Sequence, residues 1–328
     1  MAETEPPQES SPVTEYWGQV VQGFVGLVLL AGVVAMFHFY APSSPSVSNP
    51  EDLAAQVHQL SRQVDQLKQQ QEMPTVVLDR YRNSIGYIFG IYRVSFGSNP
   101  PLIRARVSGT GFIVADGLLA TNRHVAEPWF GDSEAEDFIK RGATPSLESL
   151  VVFFPGSPTP IALSLAAASS KGDLAVLHMA DATATRALPA LPLAKSASAP
   201  GELVTVVGYP MGIAGMVAKS PNGIFERMAY RHNDINAASE LAALSLIRPS
   251  ATWGHLGDVV GDKIIYDAPT AHGGSGGPVF NSKGEVVGVN SAYMDGFSGG
   301  TIGVSVSLLK PLVQAARQSA YDSAIPTK

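Results

Sequence analysis

The chain has 328 residues, with 22 lysines and arginines against 28 aspartates and glutamates, for a formal net charge of −6. Mild acidity without a basic run gives nucleic acid no electrostatic footprint, so nucleic-acid binding is set aside. With no cysteine, a disulfide framework, a thiolate nucleophile and cysteine-ligated metal are excluded, whereas the redox compartment stays open.

A short N-terminal tail, 1–19, precedes Val20 to Tyr40, which reads VVQGFVGLVLLAGVVAMFHFY, and no charged residue occurs between Glu15 and Glu51. At about 1.5 Å rise per residue this stretch spans a hydrocarbon core of about 30 Å, and Tyr16, Trp17, Phe39 and Tyr40 suit the two interfaces. A cleaved signal peptide is the alternative, but it lacks a positive n-region and the run is long for an h-region. The expectation is a single-pass membrane anchor. Its orientation is not written in charge, because the first basic residue is Arg62.

Residues 41–50 (APSSPSVSNP) form an extended Pro/Ser linker. In 51–72, Leu53, Val57, Leu60, Val64 and Leu67 step by four and three, a Val/Leu heptad seam that predicts a short coiled coil. A solitary amphipathic helix lying on the rest of the protein or on the bilayer is the other reading. After Pro74 the pattern changes to short Val/Ile/Phe-rich runs between Gly, Pro, Asn and Ser, the mark of an all-β sandwich or barrel. AsnSerLysGly at 281–284 suits a hairpin loop. Helix is expected from Asp234 to Ile247 and from Leu308 to Ala320. The acidic run GDSEAED at 131–137 reads as a solvated face.

The stretch APTAHGGSGGPVF, Ala268 to Phe280, offers Ser275 as a nucleophile. A serine hydroxyl attacks a carbonyl only when a neighbouring base takes its proton and a third group holds that base. Gly273-Gly274-Ser275-Gly276-Gly277 also fits the G-x-S-x-G elbow of α/β-hydrolases, whose order is Ser, acid, His; no histidine follows Ser275, so that reading fails. Of the seven histidines, His38 and His58 lie in the apolar and heptad segments, and His178, His232 and His255 have no metal-ligand spacing. His272 reads as a loop residue. His124, in LLATNRHVAEP, follows an apolar strand, and Asp173, in KGDLAVLHM, heads another, giving the order His, Asp, Ser.

GTGFIV…ATNRHV, GDLAVL and DAPTAHGGSGGPVFNSKGEVVGVNSA together resemble the trypsin-like serine peptidases, most of all their bacterial high-temperature-requirement branch, over roughly 85–313. The resemblance implies two six-stranded antiparallel β-barrels, roughly 78–195 and 196–310, within a protease domain at 75–320 that ends in a helix, with a tail at 321–328. It implies Ser275 as nucleophile, His124 as general base and acid, Asp173 as orienting carboxylate, and the Gly273 and Ser275 N–H groups as oxyanion hole. Gly274 stands where the digestive members carry aspartate and most bacterial relatives asparagine, and would leave that loop freer. Pro269 would lie at the pocket base, with Ser291, Ala292 and Tyr293 along its wall, which suggests cleavage after small or medium apolar residues.

The implied protein is a serine endopeptidase at the bacterial inner membrane, its catalytic domain periplasmic. Protein or peptide substrates would be its partners, beside the membrane and further copies of itself in a trimer. No metal or organic cofactor is expected. Little chain follows Val313, so no PDZ module is expected in this sequence. The segment between Met211 and Asp262 is long for the family, and its Arg227, Arg231 and Arg248 suit either a regulatory surface or a solvated face. A catalytically silent binding or scaffold protein, and an esterase using the same site, are the rival readings.

Overall fold

A computed structural model describes residues 27–28, 31–32, 35–36, 50–97, 100–228, 235–293 and 300–324. The chain divides into two units, Met1–Val64 and Asp65–Lys328. No helix among the described residues is long and apolar enough to cross a membrane, and most of the apolar stretch from Val20 to Tyr40 lies outside them. The tail at 1–19 also lies outside them, as do 41–49 of the expected linker at 41–50 and 325–328 of the expected tail at 321–328, whereas Pro50 opens a helix and 321–324 complete one.

Helix α1 is Pro50–Tyr81. Along it Leu53, Val57, Leu60, Val64 and Leu67 are exposed. The sequence reading turns to strand character after Pro74, whereas the helix runs on for two further turns. Proline removes one hydrogen bond from a helix interior, and here burial outweighs that loss. Met73, Val77 and Tyr81, spaced by four, form an apolar stripe that is buried in the second unit. Tyr81 stacks on Phe280 with ring centroids 5.8 Å apart, and Met73 and Val77 face Gly284 of the 281–284 hairpin.

Among the described residues, twelve strands follow in two closed barrels. The first contains β1 (Ile85–Ser95), β2 (Ile103–Ala115), β3 (Leu118–Thr121), β4 (Thr144–Phe153), β5 (Ile161–Ala168) and β6 (Ala175–Met179). The second contains β7 (Leu203–Gly208), β8 (Ser250–Val260), β9 (Lys263–Tyr266), β10 (Pro278–Phe280), β11 (Val286–Tyr293) and β12 (Thr301–Ser305). The first closes in the order β1-β2-β3-β6-β5-β4 and the second, from β7, in the same relative order. The expected pair of six-stranded antiparallel barrels is therefore the observed fold. Closure removes the unpaired strand edges that an open sheet would leave to water.

Short helices decorate this frame. The four-residue helix α2 (Arg123–Ala126) follows β3. Helix α3 is Ser133–Lys140; the run 131–137 is solvated except at Ala135, and Asp132 Oδ1 accepts from the N–H groups of Glu134 and Ala135 at 3.0 Å, capping the helix. Between β7 and β8 lie α4 (Gly212–Ala218), α5 (Asn222–Met228) and α6 (Ile235–Ala243). Ile213, Met216, Met228, Ala237 and Leu241 bury that layer in the main core, and Arg227 pairs with Glu240 at 2.6 Å. Arg231 lies outside the described residues. Helix α7 (Val306–Ala324) buries Val306, Leu309, Val313 and Ala316.

Truncating Tyr81 to alanine removes the ring that joins α1 to β10. Its burial is worth about 3 kcal/mol, so Tyr81→Ala should lower the urea midpoint of the Asp65–Lys328 unit accordingly, measured in the full chain.

Candidate active site

His124 sits in α2, where the short β3 strand ends and Asn122 leaves it in an extended conformation. The loop before β6 brings Asp173 to it. Asn122 Nδ2 donates to the Asp173 carbonyl at 2.7 Å, and the His124 N–H donates to Asp173 Oδ1 at 3.0 Å. Both bonds tie the two chain segments together independently of the His124 ring. His124 Nδ1 then lies 2.7 Å from Asp173 Oδ2. A carboxylate only accepts, so Nδ1 carries a proton, and whenever the ring is neutral Nε2 is the nitrogen that keeps a lone pair.

Ser291, on β11, donates its hydroxyl to the same Asp173 Oδ2 at 2.6 Å. Burial alone would raise the Asp173 pKa; the bonds from His124 and Ser291 outweigh it and hold the carboxyl below its ordinary 3.8. The carboxylate therefore stays ionised while largely removed from water. Ser275 Oγ donates to the Ser291 carbonyl at 3.0 Å, so one residue touches both Asp173 and Ser275. Among the described residues no hydrogen bond joins Ser275 to His124 in this resting arrangement.

The loop carrying Ser275 is held by buried polar groups from both barrels. Thr110, on β2, donates its hydroxyl to the Gly273 carbonyl at 2.7 Å and accepts from the Tyr209 N–H at 3.1 Å. Its N–H donates to the Ser275 carbonyl at 2.7 Å. Asn290 Nδ2 donates to the Gly274 carbonyl at 2.8 Å, while its Oδ1 accepts from the Tyr266 hydroxyl at 2.7 Å. Gly274 is thus tied down rather than loose, and a β-carbon there would collide with Thr270 Oγ1. Gly273 (φ 89°) and Gly276 (φ 86°) take left-handed backbone that glycine allows, and a β-carbon on Gly276 would strike the Thr110 carbonyl. Among the described residues the N–H groups of Gly273 and Ser275 have no acceptor.

His124, Asp173 and Ser275 are thus gathered around Ser291. Pro269 is exposed, with its carbonyl accepting from Thr252 at 2.7 Å. Ala292 and Tyr293 continue β11, and their side chains lie outside the described ones. Ser291, read from sequence as pocket wall, also grips the acid; that contact spans 118 positions, and no local signal announces it. His272 is exposed on the loop, and no cluster among the described residues is arranged to hold a metal ion.

The family model for the trypsin-like peptidase domain matches residues 109–289, over half of the chain, and the chain belongs to that family. Among curated proteins it is similar to a probable periplasmic serine endoprotease DegP-like of Rhizobium meliloti, 29% identical over 207 residues, covering 63% of this chain and 32% of the relative. The corresponding Halomonas elongata protein is 31% identical over 205 residues, with 62% and 33% covered. Serine protease HTRA3 of Homo sapiens is 28% identical over 198 residues, with 60% and 34% covered. The match thus spans about a third of these relatives' own length. Among solved structures, the serine endoprotease from Yersinia pestis aligns with a TM-score of 0.49 at 18% identity, covering 75% of this chain and 67% of that one.

The lowered Asp173 pKa has a sign for stability. A depressed folded pKa contributes stability that is complete above the unfolded value and is lost as pH falls through the folded one. Asp173→Asn should therefore reduce stability at pH 7, with the difference from wild type shrinking below about pH 4, as followed by thermal unfolding across pH.

Proposed function

We propose that the chain is a membrane-anchored serine endopeptidase that hydrolyses peptide bonds of protein substrates through His124, Asp173 and Ser275. The observation that carries this reading is the Asp173 carboxylate, which accepts from His124 Nδ1 at 2.7 Å and leaves Nε2 as a base. In use, Ser275 Oγ turns from the Ser291 carbonyl toward Nε2, a rotation about one side-chain bond. Oγ attacks the substrate carbonyl while Nε2 takes its proton. The N–H groups of Gly273 and Ser275, free of acceptors among the described residues, receive the oxyanion. Nε2 then gives the proton to the leaving amine, and water repeats the cycle on the acyl-enzyme to release the acid and restore Ser275. Asp173 stays ionised throughout and stabilises the imidazolium.

The anchor is Val20–Tyr40, supported by its composition, with the catalytic domain on the periplasmic side, as the names of the DegP-like relatives suggest. The exposed Leu53, Val57, Leu60, Val64 and Leu67 seam joins copies of the chain. The resemblance favours a trimer and Val/Leu heptads favour a pair of strands; the sedimenting mass of the detergent-solubilised chain separates these, and a monomer counts against both. Pro269, Ser291, Ala292 and Tyr293 line the specificity pocket, which takes small or medium apolar side chains.

A second reading, a protease fold that binds without cutting, draws on the resting Ser275 bond to Ser291 rather than to His124. Casein and a peptide library decide between them. Wild type should cleave casein, mostly after alanine or valine in the library, and Ser275→Ala should lose at least about a thousandfold in kcat. Equal behaviour of the two proteins contradicts the reading, and cleavage after arginine or phenylalanine contradicts the pocket.

A further inference from the structure

One support of the nucleophile loop comes from a residue in an unfavourable backbone conformation. Tyr209, Pro210, Met211 and Gly212 form a β-turn closed by the Gly212 N–H donating to the Tyr209 carbonyl at 2.9 Å. With proline second and φ 63°, ψ 8° at Met211, the turn is type II. Its third position needs positive φ, which suits glycine, whereas a β-carbon crowds the backbone there. Met211 nevertheless adopts it, with a side chain 63% exposed, so no burial of that side chain offsets the strain. Only Ser245 shares this feature among the described non-glycine residues.

The strained conformation aims one particular group. The Met211 N–H donates to the His272 carbonyl at 2.6 Å. Type I and type II turns differ by a flip of their central peptide, here Pro210–Met211. In the type I form Met211 would relax to negative φ, but the Pro210 carbonyl would then turn toward the side from which the N–H now donates, and two carbonyl oxygens would oppose each other. The turn's ends are fixed independently. The Tyr209 N–H donates to Thr110 Oγ1 at 3.1 Å, the Tyr209 hydroxyl donates to the Ile85 carbonyl at 2.9 Å, and Ile213, which follows the turn, is buried in the core. Only the central peptide is left to choose.

That choice reaches the reacting centre through a second peptide. In a trans peptide the C=O and N–H point in opposite directions. Holding the His272 oxygen on Met211 therefore turns the Gly273 N–H the other way, where it has no acceptor among the described residues. Thr110 holds the Gly273 carbonyl on the far side, and the Met211 N–H holds the 272–273 peptide between them.

We propose that Met211 is a positioning residue: its left-handed backbone anchors the His272 carbonyl and thereby presents the Gly273 N–H to the oxyanion. The 210–211 and 272–273 peptides flip together, and methionine rather than glycine at 211 keeps a fraction of molecules in the flipped, inactive arrangement. This rests on the reading of Gly273 as an oxyanion donor given above.

The test compares full chains carrying Met211→Gly, Met211→Pro and Ser245→Gly by kcat and KM on a peptide substrate and by the rate of fluorophosphonate labelling. Met211→Gly removes the strain but keeps the N–H, and should raise kcat and labelling about fivefold with KM unchanged. Met211→Pro removes the N–H and forbids positive φ, and should lower kcat by about a hundredfold or more at similar KM, as losing one oxyanion donor does. Ser245→Gly relieves the other strained position, at φ 57°, and should leave kcat alone. The proposal is overturned if Met211→Gly matches wild type, if both glycine variants raise kcat alike, or if a folded Met211→Pro keeps kcat within about threefold. Wild type that fails to label beside a labelling Met211→Gly supports it. Should no variant label, the functional reading fails by itself, and amide exchange then decides the anchor: a slowly exchanging Met211 N–H upholds the bond to His272, and a fast one removes it.

Discussion

A single ionised carboxylate organises this site. Asp173 accepts from the His124 backbone, from His124 Nδ1 and from the Ser291 hydroxyl, and these partners come from both barrels. A carboxylate withdrawn from water is costly unless such donors replace its hydration. Here they do, with the net result that its pKa falls despite burial. Satisfying that charge and setting the imidazole tautomer are therefore one act. The fold must bring β11 of the second barrel against the loop before β6 of the first, or the acid loses a donor and the histidine its orientation.

The nucleophile loop obeys a related constraint. Its backbone turns tightly through Gly273 and Gly276, so its carbonyls cannot join a strand ladder. Thr110 and Asn290 supply side-chain donors in their place, and Tyr266 in turn fixes the Asn290 amide. Leaving such buried groups unpaired would cost about 1–3 kcal/mol each. Among the described residues the N–H groups of Gly273 and Ser275 stay outside this pairing, as the proposed reading of them as oxyanion donors requires. Thr110 contributes to both needs, because it lies on β2 where the first barrel meets the loop of the second.

Much of this was legible in the residues. Short apolar runs between turn residues reported an all-β sandwich or barrel, the resemblance pointed to two barrels, and the hairpin at 281–284 carried its own turn chemistry. The order His, Asp, Ser, read with the flanks ATNRHV, GDLAVL and HGGSGGPVF and the resemblance they carry, singled out His124, Asp173 and Ser275. What escaped depends on distant contact or on a backbone choice that no residue type dictates. Ser291 looks like any strand serine until its strand is laid beside Asp173. Met211 gives no hint of positive φ, since methionine prefers the opposite. Helices α4 and α5 are only seven residues each, too short for their Ile213, Met216, Val217 and Ile224, Met228 spacings to stand out in the sequence, and the core beneath them buries Ile213, Met216 and Met228. Two signals were present and passed over: the 73, 77, 81 spacing that carries α1 past Pro74, and Asp132 standing ahead of SEAEDFIK as a cap.

The central claim is the shared carboxylate and the tautomer it imposes. Nitrogen-15 NMR of the His124 ring in the resting protein, at a pH where the imidazole is neutral, reads it directly. The expected spectrum has a protonated Nδ1 and an unprotonated Nε2, with the Nδ1 proton shifted strongly downfield by its bond to Asp173. A neutral ring protonated at Nε2 instead would contradict the claim, because His124 could then take no proton from Ser275.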